Sequence, residues 1–166
     1  NKVKNPLLSK FAHLNNGAMM QRCVVGTATA NNRAEIDRML AQAAKVLPQD
    51  VIFAWGAKPI DKTNEYELYV LQLTNKAKTP LLDGDVISDA NSDFDQQGRP
   101  VVSMVMKDEA ARKWAKITGS NIGNSIAIVL DGVVYSAPNV NSEITGGRSE
   151  ISGQFTVEEA KDLANI

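Results

Sequence analysis

The chain has 166 residues, 43% of them hydrophobic, enough to build a core without disulfides or metal, because a chain of this length removes roughly 70% of its extended surface from water on folding. No apolar run comes near the roughly 20 residues that cross a bilayer, so no transmembrane helix and no signal peptide is read from it. The net charge of −1, with Lys and Arg scattered rather than clustered, argues against the basic patch that nucleic acid demands.

Leu7, Leu8, Phe11 and Leu14 open the chain as either a short amphipathic helix after Pro6 or an arm packed on the rest. Residues 18–30 read as a strand, and Asn31 and Asn32 offer an N-cap to the helix that follows. In that helix Ile36, Met39, Leu40, Ala43, Ala44 and Leu47 recur at the spacing of one helical face, and Pro48 ends it. Residues 51–55 and 66–73 read as strands, joined by a polar loop through Pro59, Asp61 and Asn64. Residues 1–80 are thus expected to form a βαββ lobe.

A boundary is placed at residues 76–83, around Pro80, and the second lobe, residues 81–166, is read as βαβββα. Residues 100–106 form its first strand, and Asp108 is taken to cap a helix running to Thr118. Ala111, Trp114, Ala115 and Thr118 share a face of that helix, which makes Trp114 a core anchor. Residues 125–130 and 133–135 flank Asp131-Gly132, the dipeptide that takes the positive φ angles of a type I′ turn, and predict a hairpin. After a strand at 150–155, Thr156 and Glu159 spell a capping box, followed by the apolar stripe Ala160, Leu163 and Ala164. The fold class expected is α+β, with helices on one face of a mostly antiparallel sheet and a split βαβ character in the C-terminal half.

Catalytic chemistry is scarce. His13 and Cys23 have no third orienting group, and Cys23, in an apolar run, is read as a buried inert thiol. No phosphate loop and no GxGxxG occurs, and Ser149 in Gly147-Arg148-Ser149-Glu150-Ile151 lacks the second Gly of a nucleophile elbow. Gly119, Gly123, Gly146, Gly147 and Gly153 read as turn residues. Asp83, Asp85, Asp89, Asn91, Asp93 and Asp95 invite a calcium loop, but counted from Asp89 the sixth position is Phe94 rather than Gly and the twelfth is Pro100 rather than Glu. A solvated acidic loop is the expectation there; no enzyme, metal, cofactor or small-molecule substrate is expected.

Residues 121–160 carry the clearest signature: Asn-Ile-Gly followed by IAIVLDG, VVYSAP with Pro138, ITGG with Gly146 and Gly147, ISG with Gly153, and FTVEEA with Thr156 and Glu159. This order resembles the first periplasmic domain of SecD and of the fused SecDF protein-export subunits. The resemblance extends back through LDGDVISDANSDFDQQGRPVVSMVM and DEAARKWAKIT, while the first eighty residues match more loosely and are placed in the upper, head part of that domain. The base is expected only at the C-terminal end or not at all. PVVSMVM departs from family versions with an aromatic near its end, where Met fills a core position equally well.

The resemblance implies a soluble piece of a multi-pass membrane protein, on the periplasmic side of the bacterial cytoplasmic membrane. It implies a Sec translocon accessory subunit that holds or guides unfolded preprotein during proton-gradient-dependent export. The family's proton path lies in transmembrane helices, so no Asp or Glu here is given that role. A holder of varied chains uses adaptable apolar surface or an open sheet edge. Met19, Met20, Met104 and Met106 are the candidate contacts, ordinary core packing being the other reading of each. A docking module for other translocon subunits, without preprotein binding, is the alternative.

Overall fold

The computed structural model of the protein describes residues 7–14, 23–60, 63–74, 79–153 and 155–165. Met19, Met20, Asp61 and residues 18–22 of the expected first strand lie outside them. The fold is α+β, with two sheets that are antiparallel apart from one strand pair, and the chain divides into two compact units.

The first unit comprises residues 1–81 together with Ala127–Tyr135. Its strands are β1 (His13–Leu14), β2 (Val24–Thr29), β3 (Val51–Pro59), β4 (Glu65–Gln72), β7 (Ile128–Leu130) and β8 (Val133–Ser136), in the sheet order β1-β2-β4-β3-β8-β7. Helix α1 (Ala30–Ala43) follows β2 directly. Its Ile36 and Leu40 join Phe11, Ala28, Trp55 and Leu68 in the core of this unit, with Leu7, Phe53 and Tyr66 packed against it. The N-terminal segment is therefore an arm: a single 3-10 turn at Leu8–Lys10, then buried Phe11, then β1 pairing with β2.

Two helix boundaries differ from expectation. Neither Asn31 nor Asn32 caps α1: the cap position is Thr29, without a side-chain cap bond, and the N–H of Ala30, the first helical residue, is satisfied by the Asn64 carbonyl at 3.2 Å from the turn before β4. The Asn32 amide instead donates to the Lys10 carbonyl at 3.1 Å and ties down the arm. At the other end α1 stops at Ala43, before Pro48, in a tightened turn where Val46 and Leu47 both donate to the Ala43 carbonyl. Proline disfavours the helical region for the residue before it, so unwinding begins ahead of the ring itself.

The hairpin turns at Asp131 and Gly132, with φ of 49° and 79°, the two positive values that a type I′ turn requires. Its strands join the sheet of the first unit through the parallel pairing of Gly56 with Val134. The residues flanking the hairpin belong to the second unit and pair with each other, Ser125 bridging to Asn139 and Ile126 donating to the Pro138 carbonyl at 3.1 Å.

The second unit comprises Leu82–Ile126 and Ser136–Ile166. Its antiparallel sheet has the order β5-β6-β9, from β5 (Ile87–Phe94), β6 (Pro100–Met106) and β9 (Arg148–Ser152). Helices α2 (Asp108–Ser120) and α3 (Val157–Ala164) complete it, and α3 packs against β5 and β6. Val101, Val102, Met106, Ala110, Ile151, Ala160 and Leu163 are buried here. Asp108 does not cap α2. Lys107 occupies the cap position without a side-chain bond, and Asp108 is the first helical residue, where its carboxylate faces the positive end of the helix dipole. At α3 the Thr156 hydroxyl accepts from the Glu159 N–H at 3.2 Å, and the Glu159 carboxylate accepts from the Thr156 N–H at 2.7 Å.

Candidate functional site

The middle of the acidic stretch, Ile87–Phe94, is a strand and not a loop, while Asp83 and Asp85 stand at a 3-10 turn before it and Asp95 at the turn after it. From Asp89 to Phe94 the residues pair one for one with β6, Asp89 opposite Val105 and Asp93 opposite Val101, after an irregularity at Ser88. Side chains alternate along a strand, so Asp89, Asn91 and Asp93 share the solvent face while Ala90 and Ser92 turn half-buried toward the other. The two carboxylates on that face, Asp89 and Asp93, stand roughly 13 Å apart along an extended chain, too far to converge on one ion. Among the described residues no cluster of three or more His, Cys, Asp or Glu is arranged to hold a metal.

β5 is an edge strand of eight residues with β6 as its one neighbour, so its outer N–H and C=O groups have no strand partner among the described residues. It ends at Phe94, an aromatic ring that is 57% exposed. The turn beyond is held by Asp95, whose carboxylate accepts from the N–H groups of Gln97 at 2.8 Å and Arg99 at 2.9 Å and from the Arg99 guanidinium at 2.7 Å. Those bonds, the Arg99 N–H first, hold the Asp95 carboxyl below its ordinary range.

Of the methionines with described positions, Met104 is half-buried in the middle of β6, and Met106 is 7% exposed. Met106 is therefore core and not a contact surface, its N–H donating to the Gly147 carbonyl at 2.8 Å. Gly147 has φ of 64°, and a Cβ there would stand 2.7 Å from the Ala111 Cβ, so glycine lets β9 begin against α2. A Cβ at Gly153 would meet the Phe155 ring at 2.8 Å, whereas Gly146 is exposed and open. Trp114 is half-buried and donates to the Ser149 hydroxyl at 3.1 Å, which leaves that serine engaged in packing α2 on β9.

In the first unit His13 of β1 pairs with Thr27 of β2, and Cys23, half-buried, stands just before β2 begins at Val24. Tyr69 donates to the Glu67 carboxylate at 2.6 Å, and burial, reinforced by that carboxylate, holds its phenol well above the usual range. Arg33 lies over Trp55 and Tyr66, 5.1 and 4.6 Å from the ring centroids, while Trp55 donates to Asp37 at 2.7 Å. These contacts fasten α1 to its sheet. Along α2 of the second unit an open groove of about 550 Å3 is lined by Lys107, Arg112, Lys113 and Lys116 with the acidic Asp85 and Glu109 beside them. Among the described residues no helix is long and apolar enough to cross a membrane.

Residues 62–166 match the family model described as SecDF, P1 head subdomain. The protein translocase subunit SecD of Rhodothermus marinus is 39% identical over 165 residues, 98% of this chain and 26% of that protein. SecDF of Thermus thermophilus is 49% identical over 87 residues, 52% of this chain and 12% of that protein. A solved structure of SecDF, described as a membrane component that enhances protein export, superposes with a TM-score of 0.50 at 32% identity, covering 96% of this chain and 63% of that one. SecDF in a super-membrane-facing form gives a TM-score of 0.50 at 33% identity, covering 96% of this chain and 19% of that one. The chain thus spans about a quarter of the length of the SecD relative that it matches almost end to end. It belongs to the SecD/SecDF protein translocase family, and its residues 62–166 correspond to the P1 head subdomain.

Proposed function

We propose that this domain acts on the periplasmic side of the cytoplasmic membrane, holding emerging unfolded preprotein while the parent translocase subunit completes proton-gradient-dependent export. The observation that supports it is the open edge of β5, an eight-residue strand paired on one side only among the described residues and ending at exposed Phe94. Main-chain hydrogen bonds are indifferent to sequence, so an extended segment of any preprotein adds to such an edge. About half of the residues of an edge strand point their N–H and C=O outward, and each bond contributes roughly 0.5–1.5 kcal/mol net. Set against the several kcal/mol that association costs, this gives weak and exchangeable binding, which suits a chain in transit.

NMR titration of the labelled domain with an unfolded, export-competent polypeptide tests the proposal, a folded protein of similar charge serving as control. Saturable shifts in the amides of β5 with the unfolded chain alone are expected. No shifts at high concentration would refute holding by this domain and favour a docking role toward other translocon subunits.

A further inference from the structure

The edge of β5 carries charge as well as backbone. Asp89 and Asp93 lie on its solvent face with Asn91 between them, and both are exposed. The Asp89 carboxylate accepts from the Asn91 amide at 2.7 Å, and that of Asp93 from the Phe94 N–H at 2.8 Å. Among the described residues neither has a Lys or Arg within ion-pair distance; the basic residue of this turn, Arg99, is taken by Asp95.

A strand added beside β5 sets its own residues directly opposite these carboxylates, on the same face and about 5 Å away between Cβ atoms. Opposite charges in such cross-strand positions attract and like charges repel. A second copy of β5 would bring carboxylates against carboxylates or Asn91, so the edge is guarded against its own kind.

Resting on the holding role above, we propose that the β5 edge selects among extended segments by charge: it takes chains with Lys or Arg at alternate positions and turns away chains with Asp or Glu there. The occupant is a basic extended polypeptide segment, recognised by backbone pairing on the edge and by ion pairs to Asp89 and Asp93.

The test uses three unstructured peptides of equal length and apolar content that carry Lys, Thr or Glu at alternate positions. Each is titrated by NMR into the domain and into an Asp89→Asn, Asp93→Asn double variant, which keeps acceptor oxygens and removes charge. Expected is a Lys-over-Thr preference of about 2- to 30-fold from two cross-strand pairs, weaker binding of the Glu peptide, shifts centred on β5, and loss of the preference in the double variant with the Thr peptide unaffected. Raising salt reduces the preference, because exposed pairs are screened. Equal binding of all three peptides at β5 overturns the charge selection and leaves the holding role standing. Binding of none overturns both, and a Lys preference that maps away from β5 or survives in the double variant overturns the assignment of the site.

Discussion

Gly147→Ala isolates a close approach on which the second unit depends. The residue has φ of 64°, and its absent Cβ would lie 2.7 Å from the Cβ of Ala111 in α2. Placing alanine in the left-handed region costs about 1–2 kcal/mol. Carbon atoms pack best at about 3.5–4.0 Å, so α2 and the start of β9 must separate by roughly 1 Å, and forced overpacking of that kind costs about 1–3 kcal/mol. The sum, about 2–5 kcal/mol, is a large share of the roughly 5–15 kcal/mol that holds a domain together. Gly132→Ala supplies the conformational control, since Gly132 has φ of 79° with nothing within 4 Å of the added methyl, and about 1–2 kcal/mol is expected there. Gly146→Ala, open and without positive φ, is expected to be near neutral. Urea unfolding followed through the amide signals of β6 and β9 reads the Gly147 and Gly146 variants, those of β3 and β8 in the first unit read Gly132→Ala, and faster exchange of the Met106 amide, which donates to the Gly147 carbonyl, reports the local opening. Ala111→Gly on the Gly147→Ala background removes the colliding methyl and is expected to recover about 1–3 kcal/mol, apart from its own helix cost of about 1 kcal/mol. Gly147→Ala no worse than Gly132→Ala, or no rescue by Ala111→Gly, would refute the steric reasoning.

Thr156→Ala removes one half of a reciprocal cap on a helix of eight residues, and a loss of about 1 kcal/mol is expected, seen as faster amide exchange in the first turn of α3. Glu159→Gln keeps an acceptor for the Thr156 N–H and is expected to lose less, by the same measurement. Asp95 makes the turn after β5 sensitive to acid. Its folded pKa lies below the ordinary 3.8, so its contribution is present above that value and is lost as pH falls through the depressed one. The Gln97 and Arg99 amide resonances are therefore expected to stay constant through pH 5–7 and to move only below about pH 4, and Asp95→Asn abolishes the movement.

Features written within a few consecutive residues were legible in the sequence. Thr156 with Glu159, Asp131 with Gly132, and Ile36 with Leu40 each declare their geometry locally, as cap, turn and buried helical face. The family signature was equally plain in residues 121–160. β5 was not, because Asp, Asn and Ser have low strand propensity and the run ISDANSDF reads as loop chemistry; the faint signal was strict alternation of Asp or Asn with small residues from Asp89 to Asp93. Its strand character comes from pairing with β6, a tertiary fact. The same holds at the start of α1, one residue before the expected cap, where the first helical N–H is met by the distant Asn64 carbonyl. Met104 and Met106 share one face of β6, and only the packing around each separates the half-buried one from the core one.

The hairpin has a consequence for biosynthesis. The sheet of the first unit takes β7 and β8 from Ala127–Tyr135, beyond the intervening stretch from Leu82 to Ile126. A ribosome adding roughly 5–20 residues per second needs several seconds to pass from Leu81 to the end of that hairpin. During that interval β3 waits with one side of Gly56 unmatched, so the earlier-made half of the chain reaches its final sheet only after most of the later half has been made.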